Sequence, residues 1–249
     1  MEQTDTDAKD FWVAALRAEA LAFRTTVSEL APTAQVPPCP EWTVADLIIH
    51  LGRIYTWVPR VLAAGGEKAE RPDLLAEGTD VLPWFDEQFA GLVAAFEAVE
   101  PEAPAWNWST QPRIAGFWPR RMAHETAVHR WDAQMTVGLA DPVEAKLAAD
   151  GISEVLDTWL PGGRGVADNP GQGVVRLTAN DVDRTWLIRL RPQGVMLLDE
   201  SAVLDDAPDA QTGVGGSASD LLLALWGRLT PDVLPVEGDP ARFAALRVG

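Results

Sequence analysis

The stretch Arg121-Met-Ala-His-Glu-Thr-Ala-Val-His-Arg-Trp-Asp132 decides how the chain is read. It holds two of the three histidines in 249 residues, with Glu125 one helical turn before His129. Residues four apart lie on one side of a helix, so these two side chains can point at a common atom. The third histidine, His50, lies far upstream in another amphipathic segment, at the stripe edge between Leu47 and Ile54. Two histidines and a carboxylate from two helices form a candidate site for a divalent metal. The same spacing also makes an ordinary helix-surface pair, and a lone stripe-edge histidine an ordinary core residue; spacing alone leaves both readings open.

A helical wheel of this segment puts Thr126, Arg130 and Gln134 on the wet side and Val128, Met135 and Leu139 on the dry side. Glu125 and Asp132 fall about 140–160° from the wet pole, and His129 about 100° from it. Inward carboxylates are costly unless they are paired or bound to a cation, which favours a metal. His124 lies about 140° from His129, so the two do not share one ion. The His-Glu-x-x-His spacing of zincins is absent, and His124 reads as structural or as support for a ligand. Two histidines and one glutamate leave coordination positions open, as in catalytic zinc sites, although non-haem iron takes the same donors. Asp132 is placed to accept a ligand imidazole's N–H or to act as a base, with an ordinary arginine-paired acid as the alternative. Cys39 sits in a proline-rich loop without a ligand-spaced partner and reads as a small hydrophobe.

Outward from this helix, four helical patterns account for residues 1–141. Trp12, Leu16, Ala20, Phe23, Val27 and Leu30 recur at helical spacing. Pro32, Pro37, Pro38 and Pro40 predict a loop, and Thr43 with Asp46 predicts a capping box opening a helix to about Leu62. Pro59 is expected to kink or loosen its last turns. Phe85, Phe89, Leu92 and Phe96 mark a third helix. A Pro- and Trp-rich loop over 101–119 leads into a fourth helix from about Pro119 to Val137. Beyond residue 142 the pattern changes. Residues 144–160 read as one helix, Pro161–Gly165 as a breaker, and 173–179, 185–190, 194–198 and 209–214 as strands. A helix capped by Ser217 or Ser219 runs to Trp226, and a short helix closes the chain. The expected architecture is mixed: a four-helix bundle over 1–141 and a small α+β domain over 142–249.

The net charge is −17, which argues against nucleic acid or an anionic membrane surface as partner. No apolar run approaches the roughly 18 residues of a membrane span, and the acidic N-terminus is unlike a signal peptide. A single cysteine forms no internal disulfide. These features predict a cytoplasmic protein, with monomer and homodimer both open. No phosphate-binding loop, dinucleotide fingerprint or Gly-x-Ser-x-Gly elbow occurs.

Four segments carry a family likeness: Cys-Pro-Glu-Trp-Thr-Val-Ala-Asp-Leu-Ile-Ile-His-Leu-Gly (39–52), Phe-Trp-Pro-Arg-Arg-Met-Ala-His-Glu-Thr-Ala-Val-His-Arg-Trp-Asp (117–132), Ala-Asn-Asp-Val-Asp-Arg-Thr-Trp (179–186) and Ser-Asp-Leu-Leu-Leu-Ala-Leu-Trp-Gly-Arg (219–228). In these the chain resembles the mycothiol-dependent maleylpyruvate isomerase family of the DinB-like group. The resemblance implies a DinB-like four-helix bundle followed by a sterol-carrier-like α+β domain. It implies a divalent metal, usually zinc, held by His50, Glu125 and His129. It also implies mycothiol as thiol cofactor, with Arg228 matching an arginine the family uses near the thiol; Arg228 could equally cap its own helix.

The expected function is therefore a mycothiol-using thiol transferase or isomerase acting on a small electrophile, with Asp132 and Arg228 as catalytic residues. A metal-dependent hydrolase, a non-catalytic metal-containing binding or regulatory protein, and a purely structural protein are the alternatives. The electrophile is admitted by the Trp-lined loop. The acidic surface disfavours a strongly anionic substrate such as maleylpyruvate, which Arg113, Arg120 and Arg121 could offset locally.

Overall fold

The structure, a computed structural model, describes residues 2–161, 172–192, 194–198 and 211–248. The chain divides into two compact units, one of residues 1–107 and 112–141, the other of 108–111 and 142–249. The breaker expected at 161–165 lies, beyond Pro161, outside the described residues, as do positions 209 and 210 of the fourth expected strand.

The first unit is built from α1 (Glu2–Ser28), a hairpin of β1 (Gln35–Val36) and β2 (Cys39–Thr43), α2 (Val44–Ala63), α3 (Val81–Ala98) and α4 (Phe117–Met135). The α1 stripe folds inward as its spacing requires, with Leu16, Ala20, Phe23 and Val27 buried. Helix α1 packs along α4 and α2 along α3. Between them lie Leu47, Leu51, Tyr55, Phe85 and Phe96, all essentially inaccessible to water. Helix α2 runs through Pro59 to Ala63. Gly52 answers a close approach, because a Cβ there would lie 2.3 Å from the Trp84 ring of α3.

Three local expectations are corrected. The proline-rich segment is not a plain loop: Gln35 pairs with Thr43 and Val36 with Cys39. Helix α4 starts two residues before Pro119, and it has no wet side. Thr126 and Arg130, expected in solvent, are buried. Leu139, expected on the dry side, is 82% exposed beyond the helix end. The reason is that α4 is packed by neighbours on several sides, so its polar groups are matched by other polar groups. Thr126 Oγ1 lies 2.6 Å from the Tyr55 hydroxyl, and Arg130 Nε donates to Glu19 Oε2 at 2.8 Å. The Arg130 guanidinium also donates to Gln134 Oε1 and to the Asp141 carbonyl.

The Trp-rich loop is likewise mostly packing. Trp118 is 1% exposed and donates to the Trp106 carbonyl at 3.0 Å. Trp57 meets both rings, and the Arg71 guanidinium lies 3.8 Å from the Trp57 ring centre.

The second unit holds α5 (Ala145–Glu154), β3 (Gly173–Ala179), β4 (Arg184–Arg191), β5 (Gly194–Leu198), β6 (Gln211–Gly216), α6 (Ala218–Leu225), β7 (Val236–Glu237) and α7 (Pro240–Ala244). Its sheet has the order β5-β4-β3-β6-β7; β3 and β6 run parallel and the other neighbours antiparallel. Alternation along β3 and β4 puts Val175, Leu177, Trp186 and Ile188 into the core, beneath α5 and α6. The single helix expected over 144–160 changes pitch: Val155–Trp159 winds as a π-helical turn. That widening alters the backbone ladder, and the Asp157 carbonyl accepts from Gln111 Nε2 at 2.9 Å.

Glu19 and Arg130 form a buried ion pair between α1 and α4. Removing Glu19 takes its countercharge from the buried Arg130 guanidinium, so Glu19→Leu is expected to cost about 3 kcal/mol in urea unfolding. The double variant Glu19→Leu/Arg130→Met is expected to lie closer to wild type than the single one. A loss below about 1 kcal/mol in the single variant contradicts this reading.

Candidate metal centre

Helix α2 is started by Thr43, whose Oγ1 accepts from Asp46 N at 3.2 Å while Asp46 Oδ2 accepts from Thr43 N at 2.9 Å. This capping box sets the phase that brings His50 to the edge of the buried stripe, where its side chain is 32% exposed. On α4, Glu125 and His129 share one side. His50 Nε2 lies 3.0 Å from Glu125 Oε1, and His129 Nε2 lies 3.5 Å from the same oxygen. One ligating atom from each of the three residues falls within 4.8 Å of the others, in the only such group of three or more among the described residues.

The second oxygen of Glu125 and the second ring nitrogen of His129 are engaged elsewhere. Asp132 Oδ2 lies 2.9 Å from His129 Nδ1, so Nδ1–H donates to the carboxylate and Nε2 is directed to Glu125. Arg121, one turn before Glu125, donates to Glu125 Oε2 and leaves Oε1 between the imidazoles. Trp42 packs against both rings, its centroid 4.7 Å from that of His50 and 5.9 Å from that of His129. Cys39 Sγ lies 3.7 Å from Asp132 Oδ2.

The donor set fits a divalent cation. Two imidazole nitrogens and one carboxylate oxygen converge, and the contacts of Glu125 and His129 leave each of these two with one atom for a shared ion. Burial favours a protonated Glu125, but the Arg121 charge and hydrogen bonds from His129 and His50 hold its carboxyl well below the usual range. Burial likewise opposes charge on His129, yet Asp132 and Glu125 push it up to about 9.

The structure thus brings together His50, Glu125, His129 and Asp132. It places His124 apart from them, buried and edge-on to Trp12 at 5.4 Å. Arg228 lies in the second unit, where its guanidinium donates to the Trp226 carbonyl at the end of α6. Arg121 is corrected: its side chain is buried against Glu125, and it is no surface offset for an anionic substrate. Its pairing had a sequence signal, Arg and Glu at four-residue spacing. Trp42 had none, since the prolines around it read as loop.

The family model described as the mycothiol maleylpyruvate isomerase N-terminal domain matches residues 13–134, and the MDMPI C-terminal domain model matches 146–245. The chain belongs to the mycothiol maleylpyruvate isomerase family. That family is one of isomerases, and the fold agrees. A crystal structure of the mycothiol-dependent maleylpyruvate isomerase is similar at 13% identity and TM-score 0.64, covering 92% of both chains. A crystal structure of its histidine-to-alanine mutant is similar at 12% identity, with the same TM-score and coverage. At such identity the likeness is one of fold. No curated protein matches the chain.

The raised His129 pKa has a consequence for the metal-free family member. Folding takes up a proton on His129 where the unfolded imidazole has lost it, above about 6.5. The stability it contributes is therefore full below about 6.5 and lost as pH rises through about 9. In chelator-treated protein, the stability gap between wild type and His129→Gln is expected to narrow from pH 6 to pH 9.5. A gap that stays constant or widens contradicts the assignment.

Proposed function

We propose that this chain is a mycothiol-dependent isomerase whose thiol cofactor is activated at a divalent metal, zinc by its family resemblance, held by His50, Glu125 and His129. The observation supporting this is the convergence of three ligating atoms in a bundle whose family uses mycothiol. A divalent ion bound there supplies positive charge that favours the thiolate of a coordinating thiol. The protein's own groups do the positioning. Asp132 holds His129 through Nδ1, so Nε2 is the nitrogen turned to the site and, once its proton is displaced, the one that offers a lone pair to an ion. Arg121 keeps Glu125 ionised and directs a single oxygen inward. Arg228, which matches the family's arginine, is assigned to the thiol cofactor.

The solved relatives are named for maleylpyruvate, and the substrate class proposed here is a small acid with a cis double bond conjugated to a carbonyl. Thiol addition to such a bond leaves a single bond that can rotate, and elimination returns the thiol with the bond trans. No net oxidation or reduction is involved.

As-purified or zinc-loaded protein is expected to carry one metal per chain and to convert maleylpyruvate only when mycothiol is supplied. His129→Ala is expected to lose the metal and at least about 100-fold of the rate. Bound metal with hydrolysis of test esters and no thiol-dependent isomerisation points to the hydrolase instead. A protein that takes up no zinc overturns the metal reading.

A further inference from the structure

The hairpin Gln35–Thr43 contributes no atom to the convergent group, yet it touches two of the three residues and the carboxylate that holds one of them. Trp42 packs on both imidazoles, tilted 44° to His50 and 32° to His129. Cys39 Sγ donates to the same Asp132 oxygen that accepts from His129 Nδ1. The hairpin is itself held firmly. Val36 is fully buried, Val44 N donates to the Ala34 carbonyl and Ala45 N to the Pro32 carbonyl, each at 2.9 Å. Its last residue, Thr43, is also the cap of the helix that carries His50. One short element therefore couples to His50 through its helix and its ring face, and to His129 through its ring face and its carboxylate.

We infer that this hairpin is the positioning element of the metal centre, in which Trp42 sets the planes of the His50 and His129 imidazoles and Cys39 orients the Asp132 carboxylate that holds His129. The inference rests on the reading of His50, Glu125 and His129 as metal ligands. Neither residue touches the reacting atoms; both act through the ligands. A two-χ aromatic wall against two imidazoles removes ring rotations that a metal would otherwise have to freeze. A thiol donor on Asp132 Oδ2 uses a lone pair of the oxygen that accepts from His129 and so restricts rotation of the carboxylate.

Conservative pairs of variants separate positioning from packing. Trp42→Leu and Cys39→Ala remove the ring and the donor; Trp42→Phe and Cys39→Ser keep them. Zinc affinity by chelator competition is expected to fall about tenfold in Trp42→Leu and Cys39→Ala, and to stay within about twofold in Trp42→Phe and Cys39→Ser. The visible absorption of the cobalt-loaded protein is expected to shift in the first pair and to return in the second. Native affinity and spectrum in the Leu and Ala variants overturn the inference, and so do equal losses in all four, which is what a purely structural role predicts.

Should the wild-type protein bind no zinc, the metal reading fails and nitrogen NMR of the His129 ring in the metal-free protein still decides the hairpin's role. Ring resonances that move in Cys39→Ala and recover in Cys39→Ser support it, and unmoved resonances overturn it.

Discussion

A buried ionisable side chain must find a partner, and α4 buries a run of them: Arg121, His129, Arg130 and Asp132, with Glu125 14% exposed among them. Each is matched. Arg121 meets Glu125, Glu125 meets two imidazoles, His129 meets Asp132, and Arg130 meets Glu19 on α1. Charge pairing on this one helix ties α4 to α1 and to α2 and forms the candidate site. The two tasks fall on successive residues, His129 turning to Glu125 and His50 and Arg130 to α1.

The cluster is asymmetric in a useful way. Glu125 has one oxygen engaged by Arg121 and His129 one nitrogen engaged by Asp132, so each presents a single donor inward. A carboxylate left with two competing oxygens, or an imidazole free to flip, would present a mixture of geometries. The supporting contacts thus choose among conformations that Glu125 and His129 alone would populate.

Much of the first unit was legible in sequence because its signals are local. The α1 stripe, the Thr43 capping box and the four-residue step from Glu125 to His129 each depend on neighbours within a turn or two. The wheel of α4 failed for the complementary reason. It assigns polar residues to water, and Arg130 and Thr126 face buried partners contributed by Glu19 and Tyr55. The prolines at 37, 38 and 40 similarly masked a two-strand pairing, since only a register between Gln35 and Thr43 shows it. In the second unit, alternation in β3 and β4 was readable, whereas the parallel partnership of β3 with β6 spans a long connection that no period encodes.

By itself, then, the sequence determined the helices, most of the strands, and which histidine and carboxylate share a helix face, because backbone periodicity fixes those relations within a few residues. The tertiary structure decided the distance at which His50 of α2 meets Glu125 of α4, and that Trp42 and Cys39 border His50, His129 and Asp132. Those contacts join segments far apart in the chain, and they exist only once burial forces each polar group to choose a partner.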